Sequence, residues 1–556
     1  MRFQCCITSN IQTRAIKTLE DHPIRQYFDA GAIVVPCTDN KTMSNCTLTG
    51  EYALFQKTHK FNVEEMLRLI DYGFSAAFMQ ATHKRRLRGE VLHSCLQILH
   101  DEGYDLDDII GTSHYWHSIG VDLSHFAKSP AVRKQHGYWS GRVNPPITLD
   151  IVRALPKADL NCRIDGSVSI PLLWQELQAA KIDMKQRFGL PCSSLEADLI
   201  AENNSLDLRR IVLSPTHDEA SWTRVKRIFN SVLQHPDQIK RATDDILRAA
   251  ADENVRYIEL VVRPRAHTHA EMTIAQVIDH MKEAADATVA SLAAEGKPLQ
   301  YGLVVYSSLA KDDPIDFLQA AQLTVQSQSK GVCGFGVLGT RDLQASEYEF
   351  FRGTFDYLKR NNANVNISAG RTDPSNVVKA IHEGGACRVS GAYQVHRSPD
   401  LMNYCANHSI PIELGLADRF SIYVSDVRTF AEVNVNDMVS TYNSDVRTFA
   451  GNPIRLFLDN LLPVAICSFK SSVSSKNRSE VLFDLVNECN LSIAELMKLL
   501  SCSFENNFQP YDVRQKMVAK AWEEASTYLS AHGYSSLYRQ HYFPSLGKGM
   551  DSFSDA

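Results

Sequence analysis

From residue 155 onward, short apolar runs alternate with longer amphipathic stretches. The runs are Ala158–Cys162, Val255–Val262, Tyr301–Ser307, Val332–Leu338, Asn364–Ser368, Cys387–Ser390, Pro411–Leu416 and Pro463–Cys467. Each is too short for a buried helix and lacks the strict alternation of a half-exposed strand. That is the pattern of strands covered on both faces. Between them, Ser221–Ala251, His269–Ala294 and Glu347–Asn361 carry apolar residues at helical spacing. Eight buried strands alternating with helices predict an α/β fold with a parallel sheet, and eight is the count that closes a (β/α)8 barrel. Periodicity alone leaves an open doubly wound sheet possible.

A further apolar run, Ala32–Cys37, lies upstream and belongs to a repeat. The stretch A-I-K-T-L-E-D-H-P-I-R at Ala15–Arg25 recurs as D-V-R-T-F-A-G-N-P-I-R at Asp445–Arg455. The same offset matches Asp29 with Asp459, Cys37 with Cys467, Glu65 with Glu495, Phe74 with Phe504 and Phe78 with Phe508. A constant offset held over such a length predicts a duplication. A smaller one places S-D-V-R-T-F-A at both Ser425–Ala431 and Ser444–Ala450, and the inserted residues are expected to form a surface loop. G-Y-W-S-G-R-V-N-P-P at Gly137–Pro146 suits an irregular connection. The expected division is a partial copy over 1–136, a linker over 137–150, a complete barrel over 151–545 and a tail over 546–556. The partial copy should need a partner surface, because a lone fragment exposes a sheet edge and its core face.

Bulk properties narrow the class. A chain of 556 residues is expected to hold two or more folding units. A net charge of -6 argues against a nucleic-acid binder, and no apolar stretch has the length of a membrane span. The 13 cysteines are scattered without a C-x-x-C, which suits reduced thiols and a cytoplasmic protein.

Leu155–Val168 reads L-P-K-A-D-L-N-C-R-I-D-G-S-V. It resembles the opening strand of the adenosine deaminase family, L-P-K-x-E/D-L-H-x-H-L-D-G-S/A, with Asn161 and Arg163 in place of two histidines. Cys6–Thr13, C-I-T-S-N-I-Q-T, is similar to the family's C-P-T-S-N-x-Q-T, and Cys37–Lys41 to its T-D-D-P. The resemblance implies a barrel of the adenosine deaminase type, preceded by a partial copy of the C-terminal end of the same fold. It also implies a site in which three histidines and an aspartate hold zinc, while a glutamate, a histidine and a second aspartate move protons and position water.

Carried across residue by residue, that site is lost. The family's H-A-G-E corresponds to Ser368-Ala369-Gly370-Arg371, its R-I-G-H-G to Arg388-Val389-Ser390-Gly391-Ala392, and its T-D-D-P to Ser468-Phe469-Lys470-Ser471. The degenerate metal positions are therefore Asn161, Arg163, Ser368 and Phe469, and the degenerate catalytic positions are Arg371, Gly391 and Lys470. A guanidinium has no lone pair for a metal and repels it. The resemblance thus implies a pseudoenzyme without zinc or other cofactor, acting as a scaffolding subunit with other protein subunits.

The alternatives are a regulatory partner of an active deaminase paralogue or a nucleotide or anion sensor, and last an active zinc enzyme. Arg163, Arg341, Arg371, Arg419 and Lys470 all map to the barrel mouth, where they could bind an anion or could instead pair with Asp165, Asp373 and Asp418. His267-x-His269 is the best spacing for a replacement metal site, against the plainer reading of a solvated loop. His382, His396 and His408 are scattered. In the N-terminal copy Asp39 keeps the zinc aspartate's position but Asn40 replaces its neighbour.

Overall fold

The computed structural model describes residues 2–106, 109, 115–116, 145–180, 205–213, 219–270, 272–308, 312–338, 345–415, 453–469, 471–473, 476–489 and 491–534. The strands are β1 (Arg2–Cys5), β2 (Ile33–Pro36), β3 (Lys157–Arg163), β4 (Val255–Val262), β5 (Gln300–Ser307), β6 (Val332–Val337), β7 (Val365–Ser368), β8 (Arg388–Ser390), β9 (Ile412–Gly415) and β10 (Val464–Cys467). β1 and β2 pair in parallel as a two-stranded sheet. β3 to β10 run in chain order as one eight-stranded parallel sheet.

The eight-stranded sheet curls until its ends meet. Cys162 bridges Phe469, and the Arg163 backbone N–H donates to the Phe469 carbonyl at 2.8 Å. This excludes the open-sheet alternative. All eight apolar runs named from the sequence are strands of this barrel. They are apolar on both faces because one face meets the ring of helices and the other meets the strands opposite.

The helices differ in detail from their sequence pattern. Ser221–Ala251 is two helices, Glu219–Ser231 and Pro236–Asp252. Pro236 lacks the N–H that would continue the first, yet suits the first turn of the second. The stretch beginning at His269 becomes helical only at Ile274, where Thr273 and Gln276 form a reciprocal capping box. Glu347–Asn361 is likewise two helices, Ala345–Phe350 and Arg352–Arg360.

The chain divides into two compact units: Met1–Pro145 with Pro510–Ala519 and Leu529–Ala556, and Pro146–Gln509 with Lys520–Tyr528. The N-terminal unit has its own core of Cys5, Ile7, Ile24, Phe28, Val34, Phe55, Phe61, Leu69 and Tyr72. Local features recur at the offset seen in the sequence. Arg25 pairs with Asp29 and Glu65, as Arg455 pairs with Asp459 and Glu495. Asp39 and Phe469 both hold positive φ, 54° and 53°. Among the described residues no helix is long and apolar enough to cross a membrane.

Candidate functional site

The C-terminal ends of the barrel strands bring together Asn161 and Arg163 from β3, Ser368 from β7 and Ser390 from β8. Phe469 follows β10 directly. Asn161, Arg163, Ser368 and Phe469 are all buried. Arg163 Nε donates to Asn161 Oδ1 at 3.3 Å, and the guanidinium lies 5.1 Å from the centre of the Phe469 ring. Phe469 also packs on Gly415 so tightly that a β-carbon there would overlap the ring. A cation stacked on a phenyl ring therefore stands where the resemblance placed two metal ligands. Asn161 turns inward, its Nδ2 donating to Glu413 at 2.8 Å and Ser390 at 3.2 Å. These residues do not fit zinc: one carries a fixed positive charge, one is a phenyl ring, and the amide is already committed.

Beneath the mouth lies a polar network that the motif comparison missed. Arg388 is fully buried and ion-paired with both Glu259 and Glu413. Asn366 Nδ2 donates to both Glu413 oxygens at 2.9 Å, and Ser390 Oγ donates to the same carboxylate. The Phe508 backbone N–H donates to Glu259 at 2.8 Å, and its ring sits 3.7 Å from the Arg388 guanidinium. Burial raises the Glu259 carboxyl above its ordinary value against the pull of Arg388. Burial would lower Arg388, but the two glutamates hold it above its usual range. The signal for this network was present in the sequence: Glu259, Arg388 and Glu413 are charges inside otherwise apolar strand runs.

The described aspartates at the mouth are engaged by other groups as well. Asp165 accepts from the Tyr306 hydroxyl at 2.9 Å and faces the Lys226 ammonium at 3.7 Å. Asp373 accepts from the Ser375 backbone N–H at 2.8 Å and from its hydroxyl at 2.6 Å. Arg371 lies beside Gly391, where a β-carbon would meet its Nε at 3.3 Å. Arg341, Arg419, Lys470 and Asp418, with the inserted S-D-V-R-T-F-A repeat, lie outside the described residues.

The two histidines of His267-x-His269 are not presented together. His267 is buried on a short 3-10 turn with Nδ1 3.0 Å from the Leu233 carbonyl, and burial depresses its pKa to about 4. His269 is exposed, and its backbone N–H donates to Gln234 at 3.0 Å. His396 Nδ1 lies 2.7 Å from the Tyr393 carbonyl, and His382 and His408 each pack against Tyr404. Asp39 accepts from the Ser9 hydroxyl at 2.8 Å, while Asn40 caps a short helix through the Met43 N–H.

Comparison with known proteins follows this geometry. The family profile described as "Adenosine deaminase" matches residues 1–94 and 203–523. A Dictyostelium discoideum protein named probable adenosine deaminase is 37% identical over 536 residues, covering 95% of this chain and 66% of its own length. An adenosine deaminase from Clostridium kluyveri is 21% identical over 399 residues, covering 68% of this chain and 95% of that protein. Among solved structures, adenine deaminase from Arthrobacter aurescens superimposes with a TM-score of 0.52 at 17% identity, covering 68% of this chain and 100% of that one. An Arabidopsis ADAL complex with IMP does so with a TM-score of 0.53 at 14% identity, covering 68% and 98%. The chain thus spans just under two thirds of the Dictyostelium relative and shares the barrel of the solved structures.

Proposed function

The chain belongs to the adenosine deaminase family, and from that premise we propose that its barrel no longer deaminates and serves as a structural subunit within a larger protein assembly. The observation that carries this reading is the buried stack of Arg163 on Phe469 at the strand ends. Deamination of a purine requires a metal-activated water and a carboxyl group to pass protons. Here the general-acid position is Arg371 and the water-orienting position is Gly391. Losing one general acid or base typically costs about 10² to 10⁴ in rate, and this barrel replaces every such group at once. Metal analysis of purified chain, run beside an inosine assay with adenosine as substrate, tests the reading. The expected result is no stoichiometric zinc and no turnover; zinc with inosine formation overturns it.

A second reading has its own support. One terminal nitrogen of Arg163, the Ser368 hydroxyl and Nε2 of His267 are buried without a hydrogen-bond partner among the described residues. Buried polar atoms of this kind are costly unless satisfied, and a bound anion or nucleotide would satisfy the arginine. Thermal melts with phosphate, AMP and IMP separate the two readings. A concentration-dependent rise in Tm favours a sensor, and an unchanged Tm favours the scaffold.

A further inference from the structure

In the N-terminal unit, the first turn of the helix Ala81–Asp101 holds a cation with nothing to balance it. Only 8% of Lys84 is exposed. Among the described residues its ammonium makes no hydrogen bond and no ion pair. The charges that act on it are those of Arg2 and Arg88, and both repel it. Burial first, and then these two guanidiniums, depress its pKa below the ordinary lysine range. Arg88 brings no spare carboxylate with it, because Asp71 accepts from its Nε and Nη2, each at 2.6 Å, and from the Tyr115 hydroxyl. Other buried cations of the chain are compensated. Arg388 faces Glu259 and Glu413, and the Lys157 ammonium donates to the carbonyls of Arg153, Leu155 and Glu253 at 3.0, 2.8 and 2.9 Å. A covered charge without a partner is costly, so Lys84 marks a place where an anion is missing.

The position of Lys84 gives the chemistry of that anion. Lys84 is the fourth residue of a 21-residue helix. A long helical side chain leans back over the turn before its own, so the ammonium lies toward the N-terminal end, where the peptide dipoles leave a positive partial charge. This turn carries no acidic residue, and Gln80 at the N-cap makes no side-chain capping hydrogen bond. His83 and Arg86 beside Lys84 are exposed, which puts the ammonium close beneath the surface. An ammonium, a helix N-terminus and the field of two guanidiniums together favour the oxygens of a phosphate.

We propose that Lys84 and the first turn of Ala81–Asp101 bind a phosphoryl oxyanion, carried by free phosphate or by a phosphate monoester. Lys84 supplies the direct charged contact, and Arg2 and Arg88 add to the positive field around it. The site uses none of the residues at the barrel mouth, and it stands whether or not the mouth binds an anion.

The test uses the full chain, dialysed free of phosphate. Calorimetric titration with inorganic phosphate should show saturable binding, and amide exchange should slow in the first turn of Ala81–Asp101. Lys84→Met should weaken binding by about tenfold or more, the scale of one charged hydrogen-bond donor. Without phosphate, that variant should melt at or above the parent's Tm, because it removes an unbalanced cation. Lys84→Arg keeps the charge and should retain most of the affinity. The same titration with phenyl phosphate separates the sources: tighter binding than inorganic phosphate assigns a monoester, and equal or weaker binding assigns free phosphate. No saturable binding of either, binding that Lys84→Met leaves unchanged, or a Lys84→Met chain that melts below the parent without phosphate overturns the proposal. A phosphate response that survives Lys84→Met arises elsewhere, and it leaves the anion reading of the barrel mouth standing.

Discussion

Phe469 packs so closely on the bare α-carbon of Gly415 that a β-carbon there would come within 2.4 Å of the ring, and only glycine leaves room for it. The same ring also carries the Arg163 guanidinium, 5.1 Å from its centre. Phe469 holds this place with a backbone φ of 53°, a region that costs a bulky residue about 1–2 kcal/mol. The packing of ring on glycine and cation on ring must offset that cost.

The first prediction follows from this fit. Gly415→Ala should destabilise the chain by about 1–3 kcal/mol, the usual penalty for forcing a methyl group into a packed core. Phe469→Ala removes the obstacle, so the double variant should be less destabilised than the sum of the two single ones. Denaturant midpoints for the four proteins provide the check, and strict additivity would contradict the contact.

Arg388 gives the second prediction. It neutralises two glutamates that are themselves fully buried. Arg388→Met keeps much of the volume but strands Glu259 and Glu413 without a counter-charge. Breaking a buried ion pair in this way costs about 3–5 kcal/mol. Urea unfolding should show a loss of that order, with a smaller loss at mildly acidic pH, where the stranded carboxyls can take up protons.

His267 supports a pH prediction. Burial holds its pKa at about 4, with Asp165 pulling upward and Arg263 and His269 downward, against about 6.5 in an unfolded chain. The folded state therefore keeps the ring neutral while the unfolded state protonates it first. This contribution to stability is intact above pH 6.5 and is lost as pH falls from 6.5 toward 4. The shift corresponds to about 3 kcal/mol across that window. His267→Gln should flatten the decline, measured as unfolding free energy at several pH values between 4 and 7; an unchanged slope would mean that other groups govern it.

Much of the barrel was legible in the sequence because strands covered on both faces leave an uninterrupted apolar signature. Val255–Val262 matched β4 to the residue. Helix boundaries were less legible, since one proline or cap decides them: Pro236 splits a stretch whose apolar spacing continues across it. At the mouth, the motif resemblance points to which residues occupy the family's ligand positions but not to what those residues do. That Arg163 would stack on Phe469 depends on contacts between residues far apart in the chain. Tyr306 and Lys226, which engage Asp165, carry no motif at all. His267 and His269 have metal-ligand spacing, yet the short turn at Pro264–His267 buries one ring and leaves the other in solvent.

The last prediction tests the proposed loss of the metal site. Restoring only the β3 pair, with Asn161→His and Arg163→His together, should not confer zinc binding. Two imidazoles would face the Phe469 ring, and Ser368 offers a hydroxyl in place of a third histidine. Two neutral nitrogens fall short of the three or four protein ligands that zinc sites use, and the neighbouring Glu413 carboxylate is already ion-paired with Arg388. The double variant should also be less stable than the parent, because Glu413 and Ser390 lose the Asn161 amide and the ring loses its cation. Metal content after zinc loading and dialysis, read beside the denaturant midpoint, checks both parts. Stoichiometric zinc in this variant would mean that the strand ends retain ligands beyond Ser368 and Phe469, and the loss of the site would then rest on the β3 pair alone.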